Sequence, residues 1–480
     1  MNKVLKSVYL LVLSLCLMGA NTDTLKLPNL GDASTSLFSA EKEYQIGRTW
    51  LRIFRSRVPT SGDPQIADYL EDLIYRLATH SQLEDRRLDV VIVNNKTLNA
   101  FAVPGGVVGI HDGLLAYAQS EDELATVLAH ELAHLSQRHF SRGVEEQKRQ
   151  TPLALAGLLA GLVLIATTGS DAGMAAISAS QAVSMQSQLK FSRGNEQEAD
   201  RIGMLTLIAA DMNPYAAPAM FERMLKATRY SGRNVPDFLL THPVTESRIA
   251  DTRNRARRYK KTITPENTEY HLMRARVRLS QEISPQLAAQ RFRIALEGDP
   301  ISPDAERYGL ALALTETGQL QQARRELTPL LLKYPDQIAY IIADANIDIA
   351  SNKSQNAANK LSNKLALTPG NYPLSMSYAE ALLKSQQPHI AEEVLVALSK
   401  TKPLKPIVWY QLAETQGLAG NILGLHRSRA EYFLLKGNLD RAIQQLKYAL
   451  NLTSGSFSET AKIRQRLVDI EDIKEMMKNL

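Results

Sequence analysis

The stretch HELAHLSQRH, His130 to His139, places three histidines and one glutamate within ten residues. On a helix, His130 and His134 stand one turn apart on one face, as two ligands of a single metal ion must. Glu131 lies beside the first, where it can take a proton from water held at that metal. The competing reading is an exposed, histidine-rich helix. Ser120 followed by Glu123 predicts a capped start for the helix running through ELATVLAHELAHLSQRH (123–139), and a defined helix favours the metal reading.

A hydrolytic metal site needs a third protein ligand and one position left for water. The pattern HExxHxxGxxH does not supply it, because Gln137 and Phe140 occupy the positions of its glycine and last histidine. If the helix continues, His139 points about 140° away from His134, so a structural, hydrogen-bonding role is expected for it. The better source is FSRGNEQEADRIG (191–203), where Glu196 and Asp200 again stand four apart. One of these carboxylates can bind the metal, and the other can hold a ligand histidine by its second ring nitrogen. The spacing leaves open which does which. Glu198 falls on a different face and is expected to be solvated. Two helices, one with HExxH and one with ExxxD, make a gluzincin layout, for which zinc is the expected metal.

Around this centre, 480 residues predict more than one domain, and 44% hydrophobic with 22% charged residues predicts globular structure. Residues 1–20 read as a signal peptide, with Lys3 and Lys6, an apolar run from Val8 to Met18 and then small residues. Cys16 is the one cysteine and leaves with that segment, so a periplasmic address without disulfides is expected. A net charge of +6 without a dense basic face argues against nucleic acid. Residues 38–80 read as amphipathic helices, RLDVVIVNN (87–95) as a strand, and the segment around Pro104-Gly105-Gly106 as a β-pair. The apolar stretch 153–169 is slightly short for a bilayer span and reads better as a buried or lid-like hairpin, with shallow membrane contact still open. From about residue 263 the chain repeats. Pro335, Pro369 and Pro403 keep a 34-residue step, as do Gly318, Asn352, Gln386 and Gly420, and Ala323, Ala357 and Ala391. That period is the tetratricopeptide (TPR) signature. Gly437 and Ala442 repeat the turn-to-alanine step only 17 residues after Gly420, so the end of the array is expected to be irregular. The expected fold is mainly α, with a gluzincin-type metallopeptidase domain (21–262) containing a small β-sheet, followed by an α-solenoid of TPR helix pairs (263–480).

Four motifs together resemble one known family: HELAH, NEQEADRIG (195–203), NAFAVPGG (99–106) and LLTHPVTESR (239–248). It is the family of the CaaX prenyl proteases and the HtpX heat-shock proteases. The signal peptide and the TPR array resemble a periplasmic branch of it that acts in outer-membrane β-barrel assembly. The resemblance implies one zinc ion held by His130, His134 and Glu196, with Glu131 as general base and acid, which leaves Asp200 as the carboxylate expected to support a ligand histidine. It implies that Asn99, Ala100 and Phe101 belong to an edge strand beside the cleft, which would pair with an extended substrate through its backbone. It brings His242 near the metal, either stabilising the tetrahedral intermediate or taking the fourth position and keeping the enzyme latent, and the latent role is expected. Arg248 would support the same site or form a surface salt bridge. The implied substrates are unfolded or misassembled outer-membrane proteins, and the implied partner of the TPR half is the β-barrel assembly complex. A binding chaperone with conditional cleavage is the alternative, and an integral-membrane protease would require 153–169 to span a bilayer.

Overall fold

The computed structural model describes residues 39–148, 192–230, 237–260, 267–453 and 455–478. The expected signal peptide and the 153–169 stretch lie outside the described residues. Helix α1 (Ala40–Arg57) is capped by Ser39, and α2 (Pro64–Thr79) opens with a proline behind Asp63, whose side chain accepts from the Gln65 and Ile66 amides. Three strands follow, β1 (Asp89–Val93), β2 (Ala100–Val103) and β3 (Val107–His111), in the order β1-β3-β2. The first pair is parallel and the second antiparallel.

Side chains alternate across this sheet as a period of two demands. Val90, Ile92, Ala100, Val108 and Ile110 face the main core, whereas Val91, Val93, Phe101, Val103 and Val107 face Trp50 and Phe54 of α1. Phe101 meets Trp50 edge-on at 5.8 Å between ring centroids. Gly109, its partner across the ladder, makes room for it, since a Cβ there would lie 2.0 Å from the ring. Asp89 holds the same face down by pairing, while buried, with Arg48 (2.9 Å) and Arg55 (3.1 Å) of α1.

The chain continues through α3 (Asp112–Tyr117), α4 (Glu121–Ser136) and α5 (His139–Lys148), then α6 (Arg193–Ala209), α7 (Ala216–Tyr230), α8 (Asp237–Thr241) and α9 (Glu246–Ala256). Asp112, buried at the start of α3, accepts from the Asn95 amide and from Gln281 Nε2, each at 3.0 Å. Burial pushes its carboxyl up to about 6 from an ordinary 3.8. Between those values the folded protein holds a proton on Asp112 that the unfolded chain releases, so this residue's contribution to stability falls as pH rises from about 4 to about 6 and is then constant. Asp112→Asn keeps an acceptor oxygen and removes the charge. It should raise stability at pH 7 by up to about 3 kcal/mol and flatten that slope, as denaturant melts at pH 4.5 and 7 would show.

Beyond α9 all described elements are helices: α10 (Thr268–Ser280), α11 (Pro285–Glu297), α12 (Pro303–Glu316), α13 (Leu320–Lys333), α14 (Ile338–Ala350), α15 (Ser354–Leu367), α16 (Tyr372–Lys384), α17 (Pro388–Thr401), α18 (Pro406–Leu418), α19 (Ile422–Leu435), α20 (Leu439–Asn451) and α21 (Phe457–Lys478). The 34-residue repeat is visible in the backbone. Gly318, Asn352, Gln386 and Gly420 all turn with positive φ, between 59° and 78°, at the corner within each pair. Gly437 does the same between α19 and α20, so the register slips where the sequence spacing does. Ala323, Ala357 and Ala391 are fully buried, allowing the paired helices to approach closely.

The array closes on α2. Lys402 reaches Asp68 (3.4 Å) and Glu71 (3.2 Å), Lys405 also pairs with Glu71, and Arg276 of α10 grips Asp63 (2.9 Å from Nε). One apolar cluster runs from Ile66 through the sheet and α4 to Tyr270, Tyr308 and Ile347.

Candidate metal centre

Helix α4 starts as its sequence predicts, with Ser120 Oγ accepting from the Glu123 amide at 3.2 Å. Glu123 reaches back one residue further than a standard capping box, to the Gln119 amide at 2.8 Å. Helix α6, capped by Ser192, lies close against α4 because Gly203 faces the Ala129–His130 backbone, where a Cβ would sit 3.1 Å from the His130 nitrogen. The two helices thus bring HExxH and ExxxD face to face. The short α8 ends just before His242, whose amide donates to the Phe238 carbonyl (2.8 Å) and whose ring stacks on Phe238 at 4.7 Å.

His130, His134, Glu196 and His242 converge there, each buried and each offering one donor atom, with those atoms within 4.8 Å of one another. His130 Nε2 lies 3.0 Å from His134 Nε2, 3.4 Å from His242 Nδ1 and 3.5 Å from Glu196 Oε2. Glu196 Oε1 lies 3.0 Å from His242 Nδ1 and 3.5 Å from His134 Nε2. Four donors arranged tetrahedrally at zinc bond lengths of about 2.0–2.1 Å would stand about 3.3 Å apart. The separations given lie near that value and all four donors lie within 4.8 Å of one another, so the donor types and their convergence suit a zinc-sized ion.

Behind the donors, Asp200 Oδ1 stands 3.0 Å from His130 Nδ1. Arg248 binds Asp200 through Nε and Nη2, both at 2.7 Å, and its Nη1 reaches the Pro243 carbonyl and Glu196 Oε2, both at 2.8 Å. At 5% exposure, Arg248 belongs to the site and not to a surface ion pair. Glu131 Oε1 is buried without a hydrogen-bond partner, 3.6 Å from His242 Nε2. The Glu131 carboxylate also takes a backbone hydrogen bond from Ala102 of β2.

Burial governs the charges. It pushes the Glu131 carboxyl up, opposed by His242 and His130. It also pushes His134 well down, and the neighbouring His130 and His242 add to that. His130 goes the other way, because Asp200 and Glu196 outweigh its burial and carry it up to about 9. Glu196 is held well below the usual carboxylate range despite burial, by His242 and His130.

Strand β2 is an edge strand, and among the described residues no strand pairs with its second edge. Ala100 and Ala102 point towards α4, whereas the Phe101 ring is turned away into the aromatic cluster on α1, so only its backbone faces the site. Asn99 is buried just before the strand, and its amide has no hydrogen-bond partner.

Two residues lie closer to the site than their spacing suggested. Helix α4 ends at Ser136, and Arg138 turns the chain with φ +51°. His139 is therefore swung back, with its Nδ1 2.9 Å from His134 Nδ1. The expected hydrogen-bonding role holds, but the 140° separation does not, because it assumed an unbroken helix. Glu198 is half-buried and not simply solvated, with Oε2 3.0 Å from His139 Nε2 and 3.3 Å from Arg142. The turn itself is clamped by Glu43, which takes Arg138 Nη2 at 2.6 Å and Ser141 Oγ at 2.5 Å. No local periodicity announces a left-handed residue at Arg138, and this is why the two were missed.

The pattern of Peptidase family M48 matches residues 64–256, a span that contains every donor named above. The β-barrel assembly-enhancing protease of Escherichia coli (strain K12) is 33% identical over 453 residues, spanning 94% of this chain and 92% of that protein. The chain belongs to peptidase family M48. A second M48 relative, the putative β-barrel assembly-enhancing protease of Vibrio cholerae, is 34% identical over 458 residues, covering 94% of both chains. The mitochondrial metalloendopeptidase OMA1 of Schizosaccharomyces pombe is 31% identical over 181 residues, 38% of this chain and half of that one. This M48 chain is a metalloendopeptidase, and its similarity to the first two relatives extends through the helical array. Among the described residues, no helix is long and apolar enough to cross a membrane.

Proposed function

We propose that the protein is a periplasmic zinc endopeptidase that removes misfolded or stalled outer-membrane β-barrel proteins. In this reading His130, His134 and Glu196 hold the ion, Asp200 orients His130, and Arg248 braces Asp200. Bound zinc would polarise the scissile carbonyl and acidify the attacking water. Glu131 takes the proton from that water and later returns it to the departing amide nitrogen. Strand β2, from Ala100 towards Ala102, pairs with the substrate backbone, so cleavage follows extended conformation more than side-chain identity. The observation that carries this reading is the convergence of four donors at zinc-like separations with Glu131, itself hydrogen-bonded to the edge strand, beside them. The names of the full-length relatives support the barrel-assembly context, and the helical repeats suit recruitment of a partner such as the assembly complex. Chaperone-like holding of barrel precursors accompanies cleavage in this reading.

His242 completes a four-donor set, as in closed structural sites, whereas catalytic sites keep a position for water. We assign it the role of a latch that keeps the resting enzyme latent. The test is degradation of an unfolded reporter protein by zinc-loaded protein, with cleavage lost on chelation and regained with zinc. His242→Ala should cleave faster by on the order of tenfold, the change expected when a competing ligand worth about 1.4 kcal/mol is removed. Slower cleavage by that variant would instead assign His242 to transition-state stabilisation. No cleavage by either protein, with zinc bound, would leave the chaperone reading.

A further inference from the structure

His130 and His134 are braced in different ways. The second nitrogen of His130 meets a carboxylate directly, Asp200 Oδ1 at 3.0 Å. That of His134 meets another imidazole, His139 Nδ1 at 2.9 Å, whose far nitrogen meets the Glu198 carboxylate at 3.0 Å. His139 is 1% exposed, while the Glu198 side chain is 29% exposed, so the chain of contacts starts at the metal centre and ends at the protein surface.

The chemistry of the rings fixes the direction of this chain. A neutral histidine that binds metal through Nε2 carries its proton on Nδ1 and needs an acceptor there. His139 offers an acceptor at Nδ1 only if its own proton is on Nε2. A proton on Nε2 of a buried ring needs an acceptor in turn, and a carboxylate provides the strongest. Each tautomer requires the next, and Glu198 ends the series. We propose that His139 and Glu198 are positioning residues that act in relay: Glu198 fixes the tautomer of His139, and His139 fixes the ring orientation and tautomer of His134 for metal binding. Helix α6 thus serves both histidines of HELAH, with Glu196 at the ion, Asp200 behind His130, and Glu198 behind His134 through one intervening ring. The proposal rests on the reading of His134 as a zinc ligand.

The test is a double-mutant cycle read by zinc affinity, from competition with a chromophoric chelator, and by the visible absorption of the cobalt(II)-substituted full-length protein. Loss of such an outer contact lowers metal affinity by about 10–100-fold. Glu198→Ala should do so and shift the cobalt bands, with thermal melts confirming that the half-exposed site still folds. In His139→Asn, the amide oxygen can take the place of Nδ1 as a fixed acceptor that needs no partner behind it. Adding Glu198→Ala to His139→Asn should therefore change affinity by less than about twofold, because sites that share a path are not additive. An equal loss in both backgrounds, or unchanged affinity and cobalt bands in Glu198→Ala, overturns the relay while leaving the zinc site standing. If the unsubstituted protein binds neither metal, the zinc reading itself fails, and the relay with it.

Discussion

Glu131→Gln should lower peptide cleavage by about 10²–10⁴-fold, the usual contribution of a positioned acid–base group, while substrate capture and fold survive. The residue is 1% exposed, and glutamine matches it in size, so no cavity opens. Glutamine keeps an oxygen to accept the Ala102 hydrogen bond but has no carboxylate to take a proton. Stability should not fall. Burial pushes the Glu131 carboxyl up, so the folded state already resists its charge, and a neutral amide removes that burden. Initial rates on an unfolded substrate, beside denaturant melts of both proteins, check both parts. A variant that cleaves within twofold of the parent would remove Glu131 from the reaction. A variant that no longer folds would show the buried carboxylate to be structural.

Arg248→Met should destabilise the metal-free protein by about 3–5 kcal/mol, the cost of removing one partner from a buried ion pair. Methionine can fill much of the space next to Phe221, over whose ring the guanidinium now lies at 5.2 Å. It cannot replace the paired 2.7 Å contacts to Asp200, nor the contact to the Pro243 carbonyl. Asp200 and Glu196 would be left as buried carboxylates with only histidines beside them. Lysine should not rescue, because one ammonium cannot reproduce the two-pronged grip on Asp200. With zinc bound, the ion's charge offsets part of the deficit, so the loss should be smaller than after chelation. Chemical denaturation with and without chelator measures the difference. The pH dependence has a definite sign. The folded Asp200 carboxyl is held below its ordinary 3.8, although burial opposes this, by His130 and Arg248. Its contribution is present above pH 3.8 and is lost as pH falls towards the lower folded value.

How much of this was legible depends on the range over which each signal acts. The HELAH helix, its Ser120 cap and the Glu196–Asp200 pair follow from spacings of three or four residues, and the structure keeps them. The array was legible because Gly318, Asn352, Gln386 and Gly420 each hold a left-handed corner, and a corner requirement repeated every 34 residues leaves a trace in composition. His139 was misplaced because one residue, Arg138, breaks the helix without glycine or proline to announce it. Phe101 lies on the edge strand β2, but its side chain belongs to a second core built with Trp50 and Phe54, more than forty residues away. Arg248 could not be told from a surface cation, because its burial depends on α6 and α9 meeting in space. The closure of the array on α2 had no local signature, since Lys402 and Asp68 are far apart in sequence.

That closure bears on how the molecule comes apart. Helix α2 lines the core behind α4 on one side and carries Asp63, Asp68 and Glu71 to the array on the other. That apolar cluster joins α2 and α4 to Tyr270, Tyr308 and Ile347 of α10, α12 and α14, so the first helices of the array share the peptidase core, whereas the later ones pack in clusters of their own. Heat or denaturant should therefore unfold α2, α4 and the helices α10 to α14 together, while the later repeats have cores that can open separately. A chain cut off after α9 would leave Asp63, Asp68 and Glu71 without these cations and would bare the apolar surface of α2 and α3 that α10 covers. What remains is an incomplete fold, and the repeats are as much part of the peptidase's structural foundation as its own sheet.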